Sequence, residues 1–229
     1  MRRFWKHAKA VAAGDGWGVE LDSKPLRTPG KMPLLVPSEA LARAIAVEWD
    51  EAAEKVDPRA MPMTGLANAA IERVAPDEAD FAAGLARYGE ADLFCYRAEG
   101  PPRLAERQAA AWDPLLAWAR RQFDVDFAIT SGINHVPQPA GTAERLDHAV
   151  TAMDAFRLAA LSPLVTIGGS LVAALAVAEE AFEPESAWDA VSVDERWQIE
   201  TWGDDAEAVA MLDGRKRDFL SGARFLKRL

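Results

Sequence analysis

The side chains most able to do chemistry are three histidines and one cysteine: His7, His135, His148 and Cys95. No histidine lies at metal-ligand spacing from another or from the cysteine, which argues against a zinc site. His135 has the chemistry of a general base, but no nucleophile elbow or triad pattern accompanies it. A small-molecule enzyme nevertheless stays open as a hypothesis, with His135, Asp126 or Glu195 acting in a cleft between two domains.

Two short motifs share letters with nucleotide-binding and helicase signatures but lack their context. The run Gly14-Asp15-Gly16-Trp17-Gly18 has no following helix and no Gly-Lys-Ser/Thr ending, so it predicts a turn between two strands. The run Asp77-Glu78-Ala79-Asp80 stands without a P-loop or a basic track, and its carboxylates suit the positive end of a helix dipole. Neither motif indicates nucleotide-dependent chemistry.

Carboxylates stand beside tryptophans in two helical segments. The run Glu48-Trp49-Asp50-Glu51 predicts a core tryptophan on a helix whose acidic face is solvated. In the second segment, Asp194 to Gly203, the spacing places Glu195 one helical turn from Gln198, and Trp202 ends the segment. Large aromatic side chains beside carboxylates suit either packing or protein recognition, and the sequence pattern alone leaves both open.

The chain is acidic as a whole, with a formal net charge of -10 over 229 residues. Such a field repels a polyanion, so nucleic acid is a poor candidate partner. The basic residues of the C-terminus form one cluster: Arg215, Lys216, Arg217, Arg224, Lys227 and Arg228. Because apolar residues alternate with them, the cluster predicts the solvated face of a final helix rather than an anion-binding or membrane-surface site.

Three features bear on the compartment. Cys95 lies in an apolar run, which predicts a buried thiol and a reducing environment. The segment Met1–His7 is basic but no apolar stretch follows it, so we expect no secretory signal. The uncharged stretch from Leu158 to Ala178 is interrupted by Ser162 and Pro163, a predicted helix start, and this leaves a buried central helix too short to span a bilayer.

The first part of the chain predicts a small antiparallel β domain. Turn-forming clusters separate short apolar stretches, and Trp17, Val19 and Leu21 alternate with polar or small residues as in a strand with one buried face. An amphipathic helix follows from an N-cap at Ser38 and stops at Asp57-Pro58. We predict an α+β protein, with residues 1–60 as the β-rich domain and residues 61–229 as a larger helical domain.

Apolar periodicity predicts helices through most of the second domain. The predicted stretches are Leu66–Val74, Asp77–Tyr88, Pro102–Phe123, Ala143–Ala160, Pro163–Phe182, Ser192–Trp202 and Asp204–Leu229. The segment Asp126–Pro139, which contains Gly132 and Pro137, is predicted to be a connection or an isolated extended piece.

A series of short motifs, in this order and spacing, carries a resemblance to a known family. The motifs are Arg3-Phe4, Leu26-Arg27-Thr28-Pro29, Val36-Pro37-Ser38-Glu39-Ala40-Leu41-Ala42, Glu48-Trp49-Asp50, Asn68, Cys95-Tyr96-Arg97, Trp112-Asp113-Pro114 and Trp202-Gly203. The chain resembles the assembly chaperones that bind the alpha subunit of the F-type ATP synthase in mitochondria and alpha-proteobacteria. The resemblance runs almost from end to end.

The resemblance implies a function without catalysis. A chaperone of this kind needs no cofactor, binds the free alpha subunit, prevents its aggregation and releases it to the beta subunit. We expect this chain to be a monomer. It is neither an integral membrane protein nor a nucleic-acid-binding one. The resemblance also implies a cytoplasmic location in bacteria and the mitochondrial matrix for eukaryotic relatives.

The resemblance also implies a set of client-binding residues. The family has a functionally important glutamate shortly before its Trp-Gly pair, which matches Glu195, with Asp194 as the neighbouring candidate. Trp49 matches a tryptophan on which the family depends, through either client contact or folding. Gln198 and Trp202, in the same segment as Glu195, complete the predicted set.

Overall fold

The computed structural model describes residues 2–203 and 205–229, with antiparallel strands at the N-terminus and mostly helices after them. The predicted α+β class is confirmed. Met1 and Asp204, the predicted first residues of the β-rich domain and of the last helix, lie outside the described residues. Within the described ranges, no helix is both long and apolar enough to cross a membrane.

The chain forms two compact units. The first comprises Met1–Glu78, Asp154–Ala160 and Arg224–Leu229, and the second comprises Ala79–Met153 and Leu161–Ala223. Compactness alone does not show that a segment folds independently. The division into domains at residues 1–60 and 61–229 therefore stays a prediction.

A four-stranded antiparallel sheet lies in the first unit. Its strands are β1 (Ala8–Ala13), β2 (Gly16–Leu21), β3 (Lys24–Pro25) and β4 (Leu35–Val36). Strand β2 pairs with all three others, and the β1–β2 hairpin closes through two residues, with Gly14 at a φ of +59° that glycine tolerates. Val19 and Leu21 are buried, so the strand with one buried face is confirmed.

Helix α1 (Glu39–Asp50) packs against this sheet and begins where the sequence predicts. The Ser38 hydroxyl accepts a hydrogen bond from the Leu41 amide at 3.0 Å, as an N-cap does. The predicted end at Asp57-Pro58 is wrong, because the helix ends at Asp50. The Arg3 guanidinium, near the N-terminus of the chain, donates to the carbonyl oxygen of Asp50, the last helical residue, at 2.7 Å and to that of Ala52, just beyond the helix, at 2.8 Å.

The remaining elements are mostly helical. Apart from short 3-10 turns, they are α2 (Pro62–Ala69), continued by a π-helical turn (Ala70–Val74), α3 (Glu78–Ala86), β5 (Tyr96–Arg97), α4 (Pro102–Phe123), β6 (Thr130–Ser131), α5 (Ala140–Thr151), α6 (Ala155–Gly168), α7 (Leu171–Ala178), α8 (Pro184–Val191), α9 (Val193–Trp202) and α10 (Ala206–Leu226). The predicted bounds of α4 are confirmed at both ends. Strands β5 and β6 pair in parallel. The predicted connection Asp126–Pro139 therefore contains one short extended piece, β6. The sequence reading missed α8.

Two predicted helices are wrong because side-chain caps divide the chain differently. The stretch Ala143–Ala160 is two helices, since the Asp154 carboxylate accepts hydrogen bonds from the Phe156 and Arg157 amides and starts α6. The helix predicted to begin at Pro163 does not exist, because Pro163 lies inside α6. Gly169, at a φ of +69°, ends α6, and Ser170 caps α7 by accepting from the Ala173 amide.

Trp112 lies at the centre of the second unit. Its ring stacks on Phe94 with centroids 5.5 Å apart, and its Nε1 donates to the Ala190 carbonyl oxygen at 2.7 Å. The Arg97 guanidinium lies 5.0 Å from the same ring centroid, within cation–π range. Helix α4 is therefore joined to α8 through the indole nitrogen and to the strand β5 through the ring face.

The predicted burial of Cys95 is confirmed and has a chemical consequence. Burial raises the pKa of the Cys95 thiol to about 12, so very little thiolate exists near neutral pH. We expect a thiol reagent to label native protein far more slowly than protein unfolded in urea, measured by the absorbance of the released chromophore. Equal labelling rates in the two states would contradict the packing of this region.

Candidate functional site

Helices α9 and α10 flank an open groove in the second unit. Helix α9 is followed by Gly203, which has a φ of +95°, a conformation that glycine adopts more readily than other residues. Helix α10 begins at Ala206. The groove has a volume of about 360 Å³. Six of its lining residues define its character: Glu195, Ile199, Trp202, Met211, Leu212 and Arg215.

Apolar side chains line much of the groove, and two of these side chains face solvent. Trp202 on α9 is 78% exposed and Met211 on α10 is 63% exposed. Exposing such side chains costs free energy that burial against a partner would recover, at about 25 cal/mol for each Å² of apolar surface. Exposed apolar surface with charged groups beside it is the usual character of a protein-binding site.

An ion pair lies at one side of the groove. The Arg215 Nη1 donates to the Glu195 Oε1 at 2.7 Å, and the Arg215 Nη2 donates to the Ile167 carbonyl oxygen at 2.9 Å. The two charged side chains are about two-fifths and one-third exposed, so solvent screens their attraction. Their geometry is more informative than their energy, because one guanidinium joins α10 to both α9 and α6.

Asp194, the neighbour of Glu195, faces a different helix. Its carboxylate accepts a hydrogen bond from the Gln108 Nε2 at 2.7 Å, and the Gln108 Oε1 accepts from the Ala98 amide at 2.8 Å. Gln108 is buried on α4. Asp194 therefore links α9 to α4, while Glu195 borders the groove.

An ion pair between α4 and α9 adds to the hydrogen bond of Asp194. The Arg107 guanidinium donates to both carboxylate oxygens of Glu200, at 2.5 and 2.8 Å. These hydrogen bonds lower the pKa of the Glu200 carboxyl and raise the pKa of the Arg107 guanidinium. One side of α9 thus makes polar contacts with α4, and another side lines the groove.

Trp49 lies in the first unit and is buried. Its Nε1 donates to the Thr64 Oγ1 at 3.1 Å, and its ring centroid is 5.0 Å from that of Trp5. The core tryptophan predicted from the helix pattern is confirmed. A direct contact between Trp49 and a client stays a prediction.

Glu48 corrects the prediction of a solvated acidic face on α1. Its carboxylate accepts hydrogen bonds from the Met63 and Thr64 amides at 2.6 and 2.8 Å, at the start of α2. Helix α2 has no side-chain cap of its own, so Glu48 supplies one from a distant part of the sequence. Burial raises the pKa of the Glu48 carboxyl in spite of these hydrogen bonds.

The residues considered for catalysis have separate partners. The Tyr96 hydroxyl lies 3.0 Å from the His135 Nδ1. Asp126 accepts from the Arg120 Nε at 2.9 Å, which lowers the pKa of its carboxyl. Glu195 pairs with Arg215 at the groove.

Three of the five predicted client-binding residues, Glu195, Gln198 and Trp202, line one groove. Asp194 faces α4, and Trp49 belongs to the other compact unit. Sequence reasoning missed the α10 side of the groove. Its signal was Met211 and Arg215, four residues apart and so on one face of a helix.

Comparisons with known proteins agree with one another. A family model described as "ATP12 chaperone protein" matches residues 2–120. The protein atp12, mitochondrial, of Schizosaccharomyces pombe is 25% identical over 215 residues, which cover 88% of this chain and 74% of that protein.

Solved structures match over nearly the whole chain. Atp12 from Paracoccus denitrificans has a TM-score of 0.94 and 44% identity, covering 99% of this chain and 97% of that one. The protein Atu1473 from Agrobacterium tumefaciens has a TM-score of 0.95 and 35% identity, covering 99% of this chain and 85% of that one. From the family model and these relatives together, the chain belongs to the ATP12 chaperone family.

Proposed function

We propose that this protein is an assembly chaperone, not an enzyme, that binds the free alpha subunit of the F-type ATP synthase. It prevents aggregation of this client and releases it to the beta subunit. Membership of the ATP12 chaperone family supports the class of function. The observation that carries a binding role is the apolar groove between α9 and α10, where Trp202 and Met211 are exposed.

The proposed client surface contains Glu195, Gln198 and Trp202, with Asp194 and Trp49 as the other residues implied by the resemblance. Its chemistry suits transient binding. Apolar side chains of the groove cover part of the client interface, and acidic groups speed the encounter with basic groups of the client. The net charge of -10 extends this attraction beyond the groove. Charged rims add little affinity, so the beta subunit can displace the chaperone.

We further propose that the protein is a monomer, works in the cytoplasm and needs no cofactor. The buried Cys95 thiol is consistent with a reducing compartment. The cytoplasm is also where a newly made bacterial alpha subunit needs protection before it joins the ATP synthase.

Co-expression with the alpha subunit of the cognate ATP synthase tests this function. We expect the chaperone to increase the amount of soluble alpha subunit and to co-purify with it on a tag. The substitution Glu195→Lys should reduce the captured alpha subunit about tenfold or more, because it places a second cation beside Arg215. Quantified gel bands of the tagged fraction give the measurement.

A matched charge reversal separates the groove from general electrostatics. Glu185 is exposed on α8, outside the groove, and Glu185→Lys changes the net charge by the same amount. Capture by Glu185→Lys should remain close to that of the unmodified protein, and circular dichroism should show both variants folded. Insoluble alpha subunit and no complex with the unmodified chaperone would reject the proposed function.

A further inference from the structure

We propose that the groove between α9 and α10 takes an apolar client segment that has a basic residue beside it, and that Arg215 is the positioning residue that sets its width. This proposal rests on the proposed function. It assigns the apolar contact to Trp202 and Met211, and it gives Glu195 an indirect role. Glu195 serves the client by holding Arg215 in place.

Arg215 joins three helices through one planar group. Its Nη1 donates to Glu195 on α9, and its Nη2 donates to the Ile167 carbonyl oxygen. Ile167 lies in the last turn of α6, where carbonyl groups lack partners within the helix. A cation is also favourable at the negative end of the α6 dipole. A fork of N–H donors can bind both groups at once, and a single ammonium would do this poorly.

Each member of the ion pair lies one helical turn from an apolar residue of the groove. Ile199 follows Glu195 by four residues on α9, and Met211 precedes Arg215 by four residues on α10. Residues four apart lie on the same face of a helix, so each charged residue is one turn from an apolar lining residue. The distance between α9 and α10 at the ion pair therefore sets the separation between the Ile199 and Met211 walls.

The charge of the lining favours a cation beside the apolar segment. Two of the described lining residues are acidic, Glu195 and Asp205, against one basic residue, Arg215. Glu195 is paired with a cation, Arg215, whereas the exposed Asp205 carboxylate accepts a hydrogen bond from the Glu207 amide at 3.0 Å. Asp205 is therefore the better placed to meet a basic residue of the client. A groove of about 360 Å³ is at the small end of the range for binding pockets and suits one or two large side chains rather than a whole domain.

The substitution Arg215→Met distinguishes an indirect role of Glu195 from a direct one. If Glu195 binds the client directly, removal of Arg215 frees its carboxylate and tightens the complex. If Arg215 positions the groove, the same substitution weakens the complex. We expect Arg215→Met to weaken alpha-subunit binding about tenfold, measured by titration of the purified proteins. Unchanged or tighter binding would overturn the positioning role.

Glu195→Gln supplies the conservative variant. Its amide oxygen still accepts a hydrogen bond from Arg215 but carries no charge for the client. We expect binding within about threefold of the unmodified protein. A loss as large as that of Glu195→Lys would show that the charge itself meets the client, against the proposal.

A pair of methionines tests the apolar contact. Met211 lies in the groove and Met32 lies in the other compact unit, and both are exposed. Met211→Ser should weaken alpha-subunit binding about fivefold or more, and Met32→Ser should leave it unchanged. Equal effects of the two substitutions would rule out the groove as the contact.

Hydrogen exchange on the free chaperone separates failure of this proposal from failure of the proposed function. We expect Arg215→Met to speed amide exchange severalfold across residues 193–202, because α9 loses its contact with α10. The control is Arg217→Met on the exposed side of α10, which should leave this exchange unchanged. Unchanged exchange in Arg215→Met would refute the positioning role, even if no form of the chaperone bound the alpha subunit.

Discussion

Trp49→Ala should lower the free energy of unfolding by about 3–5 kcal/mol, as large-to-small changes of buried aromatic residues do. The Trp49 side chain is buried in the first unit, packs on Trp5 and donates to the Thr64 hydroxyl. Its removal leaves a cavity beside Trp5 and removes the ring contact between α1 and the N-terminal segment. Urea denaturation followed by circular dichroism gives the measurement.

Trp49→Phe distinguishes a folding role from a client contact. Phenylalanine keeps most of the packing and loses the hydrogen bond to Thr64, at a cost of about 1 kcal/mol. Thr64 keeps its contacts with the Glu48 carboxylate. If Trp49 acts through the fold, this variant still captures the alpha subunit in co-expression. A stable Trp49→Phe protein that captures none would show instead that the indole meets the client.

The elements with local signals were predictable from the sequence. The Gly14-Asp15 turn, the Ser38 N-cap and the long amphipathic pattern of Pro102–Phe123 each specify a conformation through neighbours in sequence. The α+β class follows from the same signals. Glycine and serine at residues 168–170 were also a visible signal, but the uninterrupted apolar run around them favoured one long helix.

The errors at the end of α1 and the start of α2 arise where a distant residue contacts the helix terminus. Arg3 binds the carbonyl oxygen of Asp50, the last residue of α1, and Glu48 caps the start of α2. No periodicity within a helix reports such partners. The groove is similar: Glu195, Gln198 and Trp202 are visible in one segment, but the partner of Glu195 is Arg215, on the next helix. Packing decides this pairing.

Asp92→Ala should destabilise the protein by about 3 kcal/mol at about pH 5, because it leaves several buried donors without an acceptor. The Asp92 carboxylate accepts from the Ser170 hydroxyl and from the Phe94 and Val172 amides, at distances between 2.8 and 3.0 Å. Asp92 is fully buried, and it joins the segment before β5 to the start of α7. Urea denaturation of this variant and of the unmodified protein gives the difference.

The effect of Asp92→Ala should shrink as the pH rises. Burial raises the pKa of the Asp92 carboxyl to about 6 in the folded protein, above its value of 3.8 in the unfolded chain. A raised folded pKa means that the stabilising contribution is present at low pH and is lost as the pH rises through about 6. The difference between the two proteins should therefore fall by about 1 kcal/mol or more between about pH 5 and about pH 7.5.

Other carboxyl groups titrate in both proteins, so their contributions cancel in this difference. Asp80→Ala, at an exposed position of α3, serves as the matched control and should change stability by less than about 0.5 kcal/mol at either pH. A difference that stays constant between about pH 5 and about pH 7.5 would mean that the donors around Asp92 outweigh its burial and hold its pKa at or below the unfolded value of 3.8. In that case the carboxylate would stabilise the start of α7 as an ion over this whole pH range.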